Sequence, residues 1–444
     1  MSKSSSILAL NLLMILIILI IPAQSISYED SPNVVWAEDI LSQIKRGEAI
    51  EYDQVIIGGD LDLNKADLPT IERDWFDSER LGLKESVKVV NSTIVITNST
   101  IQGRLNFNDT IFQKPINFWA SNFGGETKFE GAQFNGEAYF GETSFNRKAE
   151  YPFVHFEDSA NFESAKFGEE AIFIGAQFQG NADFWNSQFI AATFIGSQFD
   201  EKARFEGARF EGKANFAFTQ FAKDAWFDFI RFDEEANFRG AQFEENTDFS
   251  YTNFNNNFTL ADSKFNRFEV KWSAIKNKLI CDGSAYLGLI KNFKDLEQFD
   301  DADNCYYQYR KKSQEQKEIG WSKLIDVLSW LSCGYGVRPG NTIFMSLFLI
   351  SLFGGVFLMG KAIQRTTDQY NTIYGPEYHK NRRVSLDDVW EALYFSLLVF
   401  TFQAARGDLF AEGKYKYAAV IEAIIGLLLI GLFVVTLGNI MIRY

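Results

Sequence analysis

The sequence predicts two structural classes in one chain: a β-solenoid built from short repeats, followed by an α-helical membrane module. Phenylalanine accounts for 45 of the 444 residues and recurs at a regular spacing through the middle of the chain. Two long apolar runs occupy residues 342–360 and 417–442. A shorter apolar segment, residues 389–401, lies between them and leads directly into polar residues. The length alone also favours more than one domain.

Residues 1–25 are predicted to be a signal peptide. Lys3 gives a positive start, residues 7–21 are almost wholly apolar, and Ala23 and Ser25 are the small residues of a cleavage site. The apolar stretch is short for a bilayer span, which needs about 20 residues. An uncleaved membrane anchor is the alternative.

Residues 33–89 are predicted to form an N-terminal cap and first coils, and residues 90–268 the regular solenoid. The aromatic residues are spaced alternately five and six apart, with one slip through Phe194 and Phe199. A helix needs a period of about 3.6 residues and a strand a period of about 2, and neither generates this spacing.

A small residue stands two positions before most of these rings, as Ala203 stands before Phe205. Residues i and i−2 of a short extended stretch point to the same side, so both should face inward before the chain turns. Stacked coils would then bury a ladder of phenylalanine rings, each contributing about 1.5–3 kcal/mol. Repeats that contact only their neighbours form a solenoid.

Composition narrows the classes of function. The net charge of −15, from 43 basic and 58 acidic residues, argues against nucleic acid as a partner, because phosphate contacts need a basic surface. His155 and His379 stand in unrelated contexts, and the cysteines at 281, 305 and 333 have no metal-ligand spacing. Either the first two cysteines form a disulfide or all three are thiols. No nucleophile–base set, metal cluster or phosphate loop is recognisable, so neither an enzyme nor a cofactor is predicted.

A helical connector at 269–318 and an interfacial helix at 319–338 are predicted between the repeats and the apolar runs. Apolar residues recur at helical spacing in both, and Trp321 and Trp330 bracket the apolar part of the second. Such a pattern is typical of a helix lying in the membrane interface. A helix packed on the end of the solenoid is the alternative.

Residues 341–361 and 417–442 are predicted to be transmembrane helices, since each is about long enough for a hydrocarbon core of roughly 30 Å. The region between them, 362–416, contains the apolar segment that is too short to span. Polar backbone at membrane depth is tolerated only where it lines a cavity or is buried in protein. A re-entrant helix and loop is therefore expected here, with the lipid bilayer as a partner.

The repeats resemble the A-x-F-x-G unit of the pentapeptide-repeat family. The match is clearest in the run Ala203-Arg204-Phe205-Glu206-Gly207-Ala208-Arg209-Phe210-Glu211-Gly212. The resemblance covers residues 90–268 and implies a right-handed, four-sided β-helix. It implies almost nothing about activity.

The C-terminal part resembles the two-transmembrane pore module of potassium channels. Residues 392–396 match the pore helix, 407–409 the stretch after the filter, and 421–428 the inner helix. The whole arrangement also resembles membrane proteins that join a pentapeptide solenoid to such a module, with segments like 305–310 and 333–339 between the two parts. The resemblance implies an ion channel formed by a homotetramer.

The predicted filter departs from the potassium pattern. It comprises Thr401, Phe402, Gln403, Ala404, Ala405, Arg406, Gly407 and Asp408. Potassium filters use T-V-G-Y-G, whose backbone carbonyls replace the water shell of the ion. Ala404 stands for the first filter glycine and disfavours the left-handed conformations that glycine permits.

Arg406 bears directly on selectivity. A tetramer would bring four copies of it to one ring, which repels cations and suits anions unless Asp408 neutralises it. Potassium selectivity is therefore not predicted, and the permeant inorganic ion is left open. Alternatively, Arg406 only ties the loop down through Asp408 or Glu412.

Glu422, Gly426 and Gly431 lie in the second apolar run and are the predicted gate or support of the inner helix. Glu422 is expected either to line a vestibule or to hydrogen-bond to the pore-helix region. The two glycines are expected to act either as hinges or as sites of close helix packing.

Orientation depends on the signal peptide. Cleavage places the repeats outside the cell membrane, so that the loop enters from the cytoplasmic side, in keeping with its basic residues. A cytoplasmic N-terminus would give the opposite orientation. The predicted function is an ion channel with an extracytoplasmic repeat domain. A non-conducting, membrane-anchored binding or scaffold protein is the alternative.

Overall fold

The computed structural model of the protein describes residues 33–73, 82–365, 385–403 and 409–441. The chain divides into two compact units, Met1–Ala285 and Tyr286–Tyr444. The predicted signal peptide, residues 1–25, lies outside the described residues, as does part of the predicted filter, residues 404–408.

The first unit is a parallel β-solenoid of about 11 turns, as the repeat spacing predicts. A representative coil contributes four short strands, Gln198–Phe199, Ala203–Arg204, Arg209–Phe210 and Ala214–Asn215. Each strand pairs in parallel with its equivalent on the next coil, and most equivalent positions are 22 residues apart. Among the described residues the strands form two 18-stranded sheets, in which all pairings but one are parallel.

The solenoid strands of three or more residues are Val34–Trp36, Ile50–Asp53, Ile56–Gly58, Thr70–Glu72, Ser86–Val90, Ile94–Thr97, Thr110–Phe112, Lys166–Ile172, Gln188–Thr193, Gln242–Asp248 and Lys264–Glu269. Besides those of the representative coil, the two-residue strands are Leu61–Asp62, Thr100–Ile101, Leu105–Asn106, Ile116–Asn117, Asn122–Phe123, Thr127–Lys128, Gln133–Phe134, Ala138–Tyr139, Ser144–Phe145, Ala149–Glu150, His155–Phe156, Ala160–Asn161, Gln177–Phe178, Ala182–Asp183, Gln220–Phe221, Ala225–Trp226, Arg231–Phe232, Ala236–Asn237, Asn253–Phe254, Phe258–Thr259 and Leu279–Ile280.

The core of the solenoid is the predicted phenylalanine ladder. Ala203 and Phe205 are both fully buried, as the inward-pair argument requires. Phe205 stacks on Phe184 of the preceding coil with ring centroids 4.8 Å apart and planes inclined by 4°. This spacing equals the distance between paired strands, so backbone pairing and ring stacking reinforce each other. Across the interior, Phe205 meets Phe194 edge to face at 5.4 Å, which is a favoured aromatic geometry.

Small hydroxyl residues at the turns satisfy buried backbone oxygens. The Ser187 hydroxyl donates to the Phe162 carbonyl at 2.7 Å, and the Thr219 hydroxyl donates to the Phe194 carbonyl at 2.8 Å. Both side chains are fully buried. Each such bond joins neighbouring coils and removes the cost of burying a polar group.

The irregularity at Phe194 and Phe199 removes one residue from a coil. The strand Lys166–Ile172 pairs with Gln188–Thr193, and their register shifts between Phe167 and Glu170. Beyond that point Phe173 again stacks on Phe194, at 4.8 Å. The missing residue is therefore absorbed in the outer backbone without a break in the ring ladder.

Eight α-helices are described, two of them belonging to the ends of the solenoid. They are α1 Ala37–Lys45, α2 Trp272–Ile275, α3 Gly283–Asp295, α4 Phe299–Gln316, α5 Trp321–Cys333, α6 Pro339–Gly360, α7 Leu386–Phe400 and α8 Tyr415–Met441. Helix α1 buries its apolar face against the first coils. The strand Leu279–Ile280 pairs with Phe258–Thr259, so the solenoid extends past its predicted end at residue 268.

The boundaries of the helices in the second unit follow from local chemistry. Helix α5 ends at Gly334, which adopts a left-handed φ of 54°. Pro339 begins α6, where its missing N–H has no cost. A capping box begins α7, because the Ser385 hydroxyl accepts from the Asp388 N–H while the Asp388 carboxylate accepts from the Ser385 N–H. Short 3-10 turns at Leu63–Lys65 and Gly334–Gly336 complete the described helical structure.

Candidate functional site

The candidate site lies where α7 packs between α6 and α8. Ser396 of α7 is fully buried, and its hydroxyl lies 2.9 Å from the Ile350 carbonyl oxygen of α6. The same hydroxyl hydrogen-bonds to the Glu422 carboxyl of α8. One serine therefore ties all three helices together through polar contacts.

Glu422 is only 1% exposed, although it lies in a strongly apolar helix. Its Oε1 atom contacts Ser396, while Oε2 has no hydrogen-bond partner within the described part of the chain. An ionisable group at such a place is costly and is usually retained for function.

Close backbone contacts fix the position of α7. A Cβ atom added to Gly426 of α8 would lie 2.2 Å from the Phe400 carbonyl oxygen. A Cβ atom on Gly354 of α6 would meet the Leu393 side chain at 3.0 Å. Glycine is thus required at Gly426 so that the end of α7 can touch α8. Gly431 differs, because a Cβ atom added there would meet nothing within 4 Å.

The first three residues of the predicted filter close the end of α7. The Thr401 hydroxyl donates to the Leu397 carbonyl at 2.8 Å. Phe402 has a left-handed φ of 60°, and the N–H of Gln403 donates to the Leu398 carbonyl at 2.7 Å. Phe402 is 70% exposed and Gln403 is also exposed.

The chain returns to the end of the bundle at which α7 began. Residues Leu409–Ala411 form an antiparallel pair with Ile363–Arg365, the segment that follows α6. The Glu412 N–H donates to the Ala362 carbonyl at 2.8 Å. Side chains from both segments share a buried cluster with the inner helices, formed by Phe357, Ala362, Phe395, Val399, Leu409 and Ala411.

Distances along α8 show how deep in the bundle the end of α7 lies. Gly426 is eleven residues beyond Tyr415, the first residue of α8. At a rise of about 1.5 Å per residue, the end of α7 lies about 16 Å along that helix. The return strand Leu409–Ala411 lies just before Tyr415 in sequence. Helix α7 therefore enters the bundle and the chain comes back on the same side.

The outer surfaces of α6 and α8 are apolar. Their mean hydropathies are 2.3 and 2.8, and both are long enough to cross a membrane. Large side chains such as Phe344, Phe348 and Met359 on α6, and Val420 and Leu428 on α8, are exposed.

A polar junction anchors α5 to α4. Asp326 of α5 is nearly buried and pairs with Arg310 of α4 at 2.9 Å and with Lys317 at 2.5 Å. The Lys317 hydrogen bond is the main reason that the pKa of Asp326 lies below its usual value. Arg310 also lies over the Tyr335 ring, 5.1 Å from its centroid. The segments 305–310 and 333–339 thus meet in one cluster.

The structure brings only part of the predicted site together. Glu422 and Gly426 contact α7, the segment predicted as the pore helix, and Glu422 hydrogen-bonds to Ser396 of that helix. Gly431 does not join this contact. The predicted filter residues Ala404, Ala405, Arg406, Gly407 and Asp408 lie outside the described residues.

Two parts of the site were not assigned from the sequence. Ser396 lay in the stretch matched to the pore helix but had no predicted role of its own. A hydroxyl in one apolar segment and an acid in another are a sequence signal for a hydrogen bond between the two segments. The antiparallel pair of strands at Ile363–Arg365 and Leu409–Ala411 was also missed, because three-residue strands have too little periodicity to be recognised.

Comparison with known proteins supports the repeat class. Residues 154–197 match the family described as Pentapeptide repeats (9 copies). The β-solenoid therefore has both the sequence and the structure of pentapeptide repeats, and two apolar helices that could span a membrane follow it. No curated protein and no solved structure matches the chain.

Proposed function

We propose that the protein is a membrane ion channel in which four copies of the chain enclose the conducting path. Helices α6 and α8 cross the bilayer and α7 is a re-entrant helix. The observation that carries this proposal is the end of α7, where the Phe400 carbonyl contacts Gly426 about 16 Å along α8. Half of a hydrocarbon core of roughly 30 Å is about that depth.

A polar turn at this depth needs a partner. The backbone of Thr401 to Gln403 leaves the helix there, and Phe402 and Gln403 are exposed in the protomer. Lipid cannot hydrogen-bond such a segment, so it must line water or be covered by protein. Several copies around a central axis meet this need, because their turns then face a shared aqueous path while the apolar outer faces meet lipid.

Charge near this turn shapes the choice of ion. Arg406 follows Gln403 by three residues and would appear four times around the axis. Such a ring favours anions over cations unless Asp408 pairs with it, which is why potassium selectivity is not part of the proposal. The solenoid is proposed to lie outside the cytoplasm, after signal cleavage, as a sensor, tether or assembly domain.

Single-channel recording tests the proposal. Purified protein in planar bilayers under asymmetric KCl is expected to show discrete openings, whose reversal potential reports the preferred ion. Arg406→Ala is expected to move the reversal potential toward cation preference. Lys213→Ala is the matched control, because it removes the same charge from an exposed site on the solenoid.

An absence of channel openings would contradict conduction if the protein is shown to be folded and tetrameric and is tested over a range of voltage and membrane tension. The function would then be that of a non-conducting, membrane-anchored scaffold, which the replacement of a filter glycine by Ala404 also favours. Openings that Arg406→Ala leaves unchanged would support a channel but remove Arg406 from its pore.

A further inference from the structure

One corner of the solenoid carries an unusual pair of exposed rings. At this corner successive coils place a residue in the left-handed backbone region, and the series, here called the left-handed corner, comprises Gln54, Asn98, Ala120, Glu142, Ser164, Asn186, Gly207, Phe229 and Tyr251. Glycine and asparagine suit such a position, whereas a bulky aromatic residue is strained there. Phe229 and Tyr251 nevertheless have φ values of 56° and 58°.

The two rings form one flat surface. They lie on neighbouring coils and stack with centroids 4.9 Å apart and planes 10° from parallel. Phe229 is 59% exposed and Tyr251 is 80% exposed. Unlike the ladder rings inside the solenoid, this pair adds little to the core, so its strained position calls for another explanation.

Two tryptophans close in sequence to this corner already carry cations of the chain itself. Arg204 lies over the Trp185 ring, 5.2 Å from its centroid, and pairs with Asp183 and Glu206. Lys202 lies over the Trp226 ring at 5.3 Å. Twice, therefore, the chain seats one of its own cations on an aromatic ring, and once it flanks that cation with carboxylates.

The Phe229–Tyr251 pair has acids near it in sequence and no cation of the described chain seated on its rings, although the charge of Arg204 also acts on Asp228. Asp228 precedes the first ring in sequence and Asp248 lies three residues before the second. Burial, and then the negative charges of Glu206 and Asp248, raise the pKa of Asp228. In the described parts of the chain, no lysine or arginine lies over either ring of the pair.

We infer that the Phe229–Tyr251 pair, with Asp228 and Asp248 beside it, is a docking surface for a basic segment of a partner polypeptide. An arginine or lysine side chain of the partner stacks on the exposed rings and pairs with the carboxylates, as Arg204 does within the chain. Charge complementarity selects this occupant, because the protein carries a net charge of −15. The inference does not depend on ion conduction.

Binding of a fluorescein-labelled hexa-arginine peptide to the full chain in neutral detergent tests it, with fluorescence anisotropy as the readout. The double variant Phe229→Asn and Tyr251→Asn removes both rings and leaves every charge in place. Asparagine tolerates the left-handed backbone, as Asn186 shows at the same corner, so the variant is expected to fold. Each exposed cation–π contact contributes a factor of about two to five, so the loss of both rings should lower the affinity by at least about fourfold.

Phe218→Asn is the matched control. Phe218 also has a left-handed φ of 58° and is 57% exposed, but it belongs to a different series of turns and its ring lies against Gly240. The control variant should bind hexa-arginine as the unmodified protein does. Equal affinity in all three proteins, or an equal loss in both variants, would overturn the inference and leave only attraction by net charge.

A second probe distinguishes binding of a basic peptide from the nearest alternative, which is binding of a glycan. Cellohexaose, a neutral sugar chain, also stacks on flat aromatic surfaces but gains nothing from carboxylates. The inference expects no binding of this probe that depends on the two rings. Ring-dependent binding of cellohexaose, with no ring dependence for hexa-arginine, would assign the surface to a glycan instead.

Discussion

Gly426→Ala should weaken the helical unit, because the contact it disturbs is with backbone. The new Cβ atom would lie 2.2 Å from the Phe400 carbonyl oxygen and 3.0 Å from its carbonyl carbon. Phe400 cannot move away easily, since Ser396, one turn earlier, is bonded to Ile350 and Glu422. Overpacking of this kind costs about 1–3 kcal/mol.

Part of this cost is offset, because alanine favours a helix over glycine by up to about 1 kcal/mol. Because a 2.2 Å approach to backbone belongs to the upper part of the overpacking range, about 2–3 kcal/mol, the net destabilisation of the helical unit is about 1–2 kcal/mol. The matching fall in Tm is about 3–6 °C. Helical circular dichroism of the full chain in detergent, followed with temperature, would measure it.

Gly431→Ala is the control for this experiment. It makes the same change in the same helix, but the added Cβ meets nothing within 4 Å in the protomer. Its Tm should equal that of the unmodified protein or exceed it slightly. If Gly426→Ala were as stable as Gly431→Ala, then α7 would not end against α8, and the argument for a re-entrant helix would lose its geometric basis.

Two further predictions concern polar groups. Tyr151→Phe should raise the free energy of unfolding of the solenoid by about 1 kcal/mol, because the Tyr151 hydroxyl is buried with no hydrogen-bond partner among the described residues. Thermal melting of the β signal would show it, and a lower Tm would mean that the hydroxyl has an acceptor. Asp326→Asn should cost about 1–3 kcal/mol at neutral pH, because it removes the charge that pairs with Arg310 and Lys317. The pKa of Asp326 is lowered in the folded protein, so its stabilisation is complete above the unfolded value of about 4 and is lost as the pH falls below it. Unfolding curves of the two proteins should therefore converge at low pH, and a constant difference down to that range would contradict the pairing.

The solenoid could be predicted from sequence because its contacts are local. Each inward pair, such as Ala203 and Phe205, repeats on the next coil, so one spacing rule determines both strand pairing and ring stacking. Even the slip at Phe194 was visible as three successive gaps of five, from Phe184 to Phe199. Its structural consequence was not, because the spacing does not show where pairing adjusts, which is where Phe167 to Glu170 face the shorter stretch Phe189 to Ala191.

The helical unit was only partly predictable, because its decisive contacts are distant in sequence. Hydropathy indicated the two long helices, and their observed bounds, Pro339–Gly360 and Tyr415–Met441, differ from the predicted ones by a few residues. The hydrogen bond between Ser396 and Glu422 joins residues 26 positions apart, and no periodic pattern in the sequence predicts it. The different roles of Gly426 and Gly431 likewise depend on which face of α8 meets α7.

These differences reflect two ways of holding a structure together. In the solenoid, water drives phenylalanine rings inward, and replacing a ring with a smaller residue leaves a cavity that costs about 3–5 kcal/mol. If the helical unit lies in a bilayer, as we propose, the lipid tails are as apolar as leucine, so burial of apolar side chains gives little preference for one helix over lipid.

Close packing and polar contacts must therefore position α7. The glycine contact at Gly426 and the bonds of Ser396 to Ile350 and Glu422 meet this need. The two units should consequently respond to opposite kinds of substitution. Large-to-small changes such as Phe205→Ala should damage the solenoid most, whereas small-to-large changes such as Gly426→Ala should damage the helical unit most.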